Sequence, residues 1–336
     1  MKLSILGGGA WGTALAVTLS QKHVVTWWVR STQQAEKMKN ERRNHQYLPH
    51  YQLPASINIQ HHLEQAIRQA SLIILATPVI GFRETLQSLK ALNHPLPPLL
   101  WACKGFEAKS GLLPHAILLE TLPTHTQYGL LCGPSFAEEV AKGLPTAIVI
   151  ASKDKVFACE TARSLSHQRL RCYANTDLIG AEIGAAAKNV IAIATGVVDG
   201  LALGLNARSA LITRGLAEIS MLIAAMGGHP KTLSGLSGIG DLILTCTGAL
   251  SRNRQFGLKI AQGATTQEIL SNTKHVVEGI QTTYEIKKLA TQYQLDMPIT
   301  EAVYNLLEGR MSANDMVACL MERETKLEFG NIPDAE

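Results

Sequence analysis

The first twelve residues constrain this chain more than any other stretch. A short apolar run, Leu3 to Leu6, breaks into Gly7-Gly8-Gly9-Ala10-Trp11-Gly12, and a helical pattern from Thr13 to Ser20 follows at once. In a strand that turns through G-x-G-x-x-G into a helix, the first glycine permits the tight turn. The second lets backbone approach a pyrophosphate, and the third lets helix and strand pack closely. The helix N-terminus then offers amide donors and a positive dipole end to phosphates. A purely structural glycine turn explains the bare pattern, but its place between strand and helix favours a dinucleotide.

An acidic residue about 20 positions further on would mark NAD with a free ribose 2′-hydroxyl. The second strand ends instead in Trp27-Trp28-Val29-Arg30-Ser31. An arginine there can pair with a 2′-phosphate, so Arg30 points to NADP(H) as preferred over NAD(H). A solvated arginine at a strand end is the competing reading.

Apolar, β-branched runs recur through the first half at Val24 to Val29, Leu72 to Ala76, Leu99 to Ala102, Gly129 to Cys132 and Ala147 to Ala151. Alternation of such runs with helical stretches predicts an α/β fold, a Rossmann-type, mostly parallel sheet covered by helices. Open parallel sheets bind ligands beyond the carboxyl ends of their strands. The turns at Gly7, Thr77-Pro78, Lys104-Gly105 and Gly133-Pro134 should therefore share one crevice. After Asn175 the spacing of apolar residues turns helical, which predicts an all-α second domain. At 336 residues two domains are expected, with 1–177 binding the dinucleotide and 178–330 carrying substrate and catalysis. Helices are expected at Leu178 to Val198, Ala207 to Met226, Arg254 to Gln262, Gly279 to Tyr293, Ile299 to Leu307 and Asn314 to Glu322, and a loose tail after Leu327. Gly227-Gly228 and Gly309 suit helix ends, and Pro298 and Ser312 suit helix starts.

Several function classes lose support. A net charge of +4, with no basic run longer than Arg42-Arg43, does not suit nucleic acid. The most apolar region, Leu178 to Leu205, is interrupted by Glu182, Lys188 and Asp199, which favours a buried helix over stable membrane insertion. The six cysteines form no Cys-x-x-Cys pair and read as reduced core thiols of a cytoplasmic protein. His61-His62 has no neighbouring acid or cysteine cluster, so no metal is expected, and Gly-x-Ser-x-Gly does not occur. Hydride transfer is the chemistry that remains.

The groups for it can be picked out. Lys104 at a strand end, and Gly133 with Ser135 in another strand-end loop, suit a phosphate or a polarised carbonyl. Lys188 sits in a helix of Ala, Gly, Ile and Val, where an unpaired ammonium costs several kcal/mol. It must find a partner, lower its pKa or face a cavity. Glu182 or Asp199 would make it a structural ion pair, whereas Asp241, in Gly238-Ile239-Gly240-Asp241, would make it part of a site. Ser251-Arg252-Asn253-Arg254 offers hydroxyl, guanidinium and amide groups at a helix start, suited either to a phosphate monoester or to solvent.

These residues together resemble the bacterial-type NAD(P)-dependent sn-glycerol-3-phosphate dehydrogenases. The resemblance is carried by Gly7 to Gly12, Lys104 to Glu107, Cys132 to Ala137, Lys188 to Ala192, Asn206-Ala207-Arg208, Leu211 to Glu218, Gly240 to Leu242, Thr245 to Thr247, Ser251 to Asn253 and Val276 to Gly279. It implies reversible hydride transfer between NAD(P)H and dihydroxyacetone phosphate, giving sn-glycerol 3-phosphate for phospholipid synthesis, in a homodimer without a metal. It implies that Lys188 accepts and donates the proton, with Lys104, Asp241 and Thr245 around the reacting oxygen. Gly133, Ser135, Ser251, Arg252 and Asn253 would bind the phosphorylated triose or polyol. Gly7, Gly9, Ala10, Trp11, Gly12, Arg30, Tyr47, Lys104, Ala137, Arg252, Val276 and Glu278 would line the cofactor. Ala187 departs from the larger aliphatic residue often found there, a difference of packing. The rival readings are a β-hydroxyacid or 6-phosphogluconate type dehydrogenase, whose substrate carries a carboxylate, and a non-catalytic NADPH sensor.

Overall fold

A computed structural model of the chain describes residues 1–108, 110–272 and 277–324. Its first half alternates strand and helix: β1 (Lys2–Leu6), α1 (Ala10–Leu19), β2 (Val24–Trp28), α2 (Thr32–Glu41), β3 (Arg43–Asn44), β4 (Leu48–Gln52), β5 (Asn58–Gln60) and α3 (Leu63–Ile67). It continues with β6 (Leu72–Leu75), α4 (Phe82–Ala91), β7 (Leu99–Trp101), α5 (Pro114–Thr121), β8 (Tyr128–Cys132), α6 (Ala137–Ala141), β9 (Thr146–Ala151), α7 (Lys155–Leu165) and β10 (Leu170–Asn175). Eight strands form one sheet in the order β10-β9-β8-β7-β6-β1-β2-β5, parallel except where β8 meets β9, while β3 and β4 form a separate antiparallel pair. Because β1, β6, β7 and β8 are neighbours running in the same direction, their four carboxyl-end turns line one edge, as the sequence predicts.

The remainder is helical: α8 (Leu178–Gly200), α9 (Gly204–Ala225), α10 (Asp241–Thr247), α11 (Arg252–Ala261), α12 (Thr266–Ser271), α13 (Glu278–Gln292), α14 (Pro298–Leu307) and α15 (Ala313–Met321). Helix α8 is long and apolar enough to cross a membrane, but that apolar window is entirely buried inside the protein. Helices α9, α10, α11 and α13 enclose it. It meets α11 backbone to backbone, since a Cβ on Gly257 would overlap the Ile193 carbonyl oxygen. Apolar clusters fill both faces of the sheet, and a third surrounds α8.

All six strands read from the sequence are present, but β5, β10 and the β3–β4 pair were missed. Strand β10 is a sheet edge whose Arg171, Tyr173 and Ala174 are exposed, so it lacks the apolar run of a strand covered on both faces. Helices α10 and α12 were also missed, although α12 carries a readable signal, the capping box of Thr265 and Glu268. The reading of six core thiols needs correction: Cys103, Cys132, Cys172 and Cys246 are buried, whereas Cys159 is half-buried and Cys319 exposed. All six are free. The tail after Leu327 lies outside the described residues.

Candidate active site

At the carboxyl end of β1, Gly7 takes a left-handed φ of +134°, open in practice only to glycine. A Cβ on Gly12 would run into the Gly7 carbonyl, so the third glycine is what lets α1 close on the turn. At Gly9, by contrast, a Cβ would meet nothing within 4 Å, and no side chain caps α1. Buried donors consume the loop carbonyls: Trp27 Nε1 donates to Gly7 O at 2.8 Å, and Asn44 Nδ2 donates to Gly8 O at 2.9 Å and to Thr13 Oγ1 at 2.8 Å. Gln34 adds a bond to Gly8 O at 3.1 Å. With the carbonyls held inward, the free first-turn amides of α1 face an open surface that suits a pyrophosphate.

Around this loop, Trp11 and Ala137 pack together on Ala14, Leu48 and Val140. Tyr47 lies half-buried in the β3–β4 turn. Arg30 is exposed just past β2, its guanidinium 3.2 Å from the Glu84 carboxylate. Glu278 opens α13 near enough to act electrostatically on Lys104, while Val276 falls outside the described residues.

Across the crevice, Lys188 projects from the middle of buried α8. Its Nζ bonds Asp241 Oδ1 and reaches Thr245 Oγ1 at 2.8 Å. The other carboxylate oxygen, Asp241 Oδ2, takes Lys104 Nζ at 2.8 Å. One carboxylate thus bridges two ammoniums. Burial pushes Lys188 down to about 8, helped by the charge of Lys104 and opposed by Asp241. For Lys104 burial also lowers the pKa, but Asp241 outweighs it and the net direction is up. Asp241 is held below its ordinary range, because the two lysines outweigh the effect of burial.

Neither same-helix acid pairs with Lys188. Glu182 is six residues away, about 9 Å along the axis and on another face, and Asp199 is farther still. Glu182 instead accepts the His115 amide at 3.0 Å and pairs with the His115 ring, and Asp199 holds Arg254 at 2.7 Å and Arg208 at 3.2 Å. With Arg254 engaged, Arg252 is the cation of the Ser251–Arg254 segment that has no ion pair among the described residues. Asn253, buried, donates to Asn189 Oδ1 at 2.9 Å and accepts the Gly279 amide at 2.9 Å. That leaves Asn189 Nδ2 buried and without a partner among the described residues. Ser251 caps α11 by accepting the Arg254 amide at 3.3 Å, and Ser135 Oγ donates to Gly133 O at 3.0 Å. The Gly133–Ser135 loop abuts the reaction end, since a Cβ on Gly240 would stand 3.7 Å from Pro134 Cγ.

The profile of the NAD-dependent glycerol-3-phosphate dehydrogenase N-terminus matches residues 2–158, and that of the C-terminus matches residues 177–318. A glycerol-3-phosphate dehydrogenase [NAD(P)+] of Dechloromonas aromatica (strain RCB) is 51% identical over 329 residues, covering 98% of this chain and 100% of the relative. The chain belongs to the NAD-dependent glycerol-3-phosphate dehydrogenase family. A second relative of the same name, from Nitrosomonas eutropha (strain DSM 101675 / C91 / Nm57), is 49% identical over 96% of this chain and 98% of its own. The crystal structure of glycerol-3-phosphate dehydrogenase from Coxiella burnetii superposes with a TM-score of 0.90 at 38% identity, covering 96% of this chain and 99% of that one.

In this member of the glycerol-3-phosphate dehydrogenase family the fold thus joins Lys104, Lys188, Asp241 and Thr245 directly, and sets Asn253 one residue away through Asn189. Ser135 and Ser251 spend their hydroxyls locally. The sequence reading missed Asn44 and Trp27, which shape the glycine loop, and did not place Asn189 in the site. For Asn189 the readable signal is an amide beside a buried lysine. Asn44 gave none, because a two-residue strand carries it. Among the described residues no group of three or more His, Cys, Asp or Glu side chains could hold a metal ion.

Proposed function

We propose that this chain catalyses reversible reduction of dihydroxyacetone phosphate by NAD(P)H to sn-glycerol 3-phosphate. The observation that carries this reading is the Lys188–Asp241–Lys104 cluster, with Lys188 and Asp241 buried and Lys104 half-buried, together with an open glycine loop whose carbonyls are already bonded. Family membership supports it. Bound NAD(P)H supplies the hydride received at C2 of the ketone. The oxygen that gains charge needs a proton and cationic neighbours, and both come from the protein. Lys188, poised near 8, donates that proton in reduction and removes it in oxidation. Lys104, kept charged by Asp241, stabilises the developing alkoxide, and Thr245 orients the Lys188 ammonium.

Arg252 and Asn253, with Gly133, Ser135 and Ser251, form the proposed seat for the phosphate. Holding that remote group spends binding energy on orienting the carbonyl. The phosphate also separates this reading from the carboxylate-specific dehydrogenases. Gly7, Gly9, Ala10, Trp11, Gly12, Tyr47, Ala137, Val276 and Glu278 form the proposed cofactor lining. Arg30 is assigned the 2′-phosphate of NADP(H), which requires it to exchange Glu84 for the ligand. The reading extends to a cytoplasmic homodimer serving phospholipid synthesis, supported by the family resemblance alone.

The test is oxidation of NADPH with dihydroxyacetone phosphate, followed by absorbance and repeated with NADH and with 3-hydroxyisobutyrate in the reverse direction. Turnover of the phosphorylated ketone by wild type and its loss in Lys188→Ala are expected. Well-folded wild type that binds NADPH and reduces no dihydroxyacetone phosphate would overturn the assignment.

A further inference from the structure

The loop after β7 is fastened at several points outside the site. Lys104 leaves the strand end, Gly105 turns with φ +101°, and Phe106 buries itself in the apolar cluster around α8. Glu107 points the other way, toward α4. There Arg83 grips it with two parallel bonds, Nε to Oε1 and Nη2 to Oε2, each 2.8 Å. The third guanidinium nitrogen, Nη1, is 2.9 Å from Glu120 on α5. Glu107 also closes the loop on itself, its amide donating to Leu112 O at 3.0 Å and its carbonyl accepting the Gly111 amide at 2.8 Å. A forked, half-buried pair of this kind fixes orientation as well as distance, unlike a solvated surface pair.

We propose that Arg83 is a positioning residue for the reaction: by fastening Glu107 it holds the loop that seats Lys104 on Asp241 beside Lys188. The inference rests on the function proposed above. The path is continuous from α4 through Arg83, Glu107 and the backbone of Phe106 and Gly105 to Lys104, then through Asp241 to Lys188. If the loop loosens, Lys104 retreats from the cluster. The groups facing Lys188 are then Asp241 and Cys246 of α10 and Cys132 at the end of β8, with Glu278 of α13 acting on Lys104. Every consequence of that retreat favours the protonated form of Lys188. A like charge departs, Asp241 serves one lysine instead of two, and water enters.

The experiment compares wild type with Arg83→Met, Arg83→Lys, Glu107→Gln and the Arg83→Met/Glu107→Gln double variant. It measures kcat and KM for dihydroxyacetone phosphate, NADPH affinity, and the titration of Lys188 by NMR after reductive 13C-methylation. Arg83→Met should lower kcat/KM about tenfold with NADPH affinity unchanged, a small part of what misplacing a catalytic group by an ångström can cost. The Lys188 titration should move up from about 8 toward the ordinary 10.5. Lysine cannot form the fork, so Arg83→Lys should recover only part of both effects. Glu107→Gln should act in the same direction, and the double variant should add little to either single change. An unmoved Lys188 titration in both Arg83→Met and Glu107→Gln would overturn the proposal even if turnover fell. That titration needs no substrate, so a wild type inactive on dihydroxyacetone phosphate would sink the proposed function and leave Arg83 to be decided by the NMR result.

Discussion

The two sides of the crevice are built by opposite means. At the glycine loop the proposed recognition groups are backbone amides on an open surface, shaped by the buried side chains of Trp27 and Asn44, and the nearby Arg30 is solvated. At the other end the groups are charged side chains, Lys188 and Asp241 buried and Lys104 half-buried, with Asp241 shared by the two lysines. Amides are neutral, so the first side needs shape but no partner for charge. Ammoniums removed from water need a carboxylate, so the second must assemble its residues together or not at all.

That contrast predicts where damage will fall. Lys188→Ala should have the largest effect, a loss of about 10²- to 10⁴-fold in turnover with NADPH binding preserved, read by steady-state kinetics and fluorescence titration. Comparable loss of cofactor binding would erase the proposed division of labour. Asp241→Asn should come next, leaving the buried Lys188 ammonium and the half-buried Lys104 ammonium without their carboxylate. Breaking such a pair costs about 3–5 kcal/mol, measurable by denaturant unfolding, and activity should fall with it. On the other side, Asn44→Ala strips the Gly8 carbonyl and Thr13 hydroxyl of a donor. Gln34 still holds the Gly8 carbonyl, so the expected cost is about 0.5–1.5 kcal/mol, appearing as weaker binding of both NADPH and NADH with kcat retained. Arg30→Ala should do least, weakening NADPH several-fold and leaving NADH unchanged in paired KM measurements. Its present partner is an exposed carboxylate, and such a surface pair is worth about 0–1 kcal/mol.

The same contrast explains what the sequence made legible. Gly7, Gly9 and Gly12 act within six residues and announce themselves as a motif, and the strands covered on both faces announce themselves as apolar runs. Lys188 was readable as an anomaly, a charge in an apolar helix, and Asp241 as a candidate partner. The choice among Glu182, Asp199 and Asp241 needed the fold, because helix geometry removes the first two and a packing of α8 on α10 supplies the third. Asn44, the edge strand β10 and the Arg83–Glu107 fork stayed hidden for a related reason. Each is defined by contacts between segments and has no local pattern of its own.

In the proposed reaction Lys188 moves the proton from a pKa lowered by burial and by Lys104. The direct measurement is kcat/KM against pH for ketone reduction and for alcohol oxidation. The donor form exists below the pKa, so reduction should fall as pH rises through about 8, while oxidation, which needs the neutral amine, should rise over the same interval. Both limbs should vanish in Lys188→Ala. Limbs centred on the ordinary lysine value of 10.5, or a limb near 8 that survives in Lys188→Ala, would show that a group other than a lowered Lys188 moves the proton.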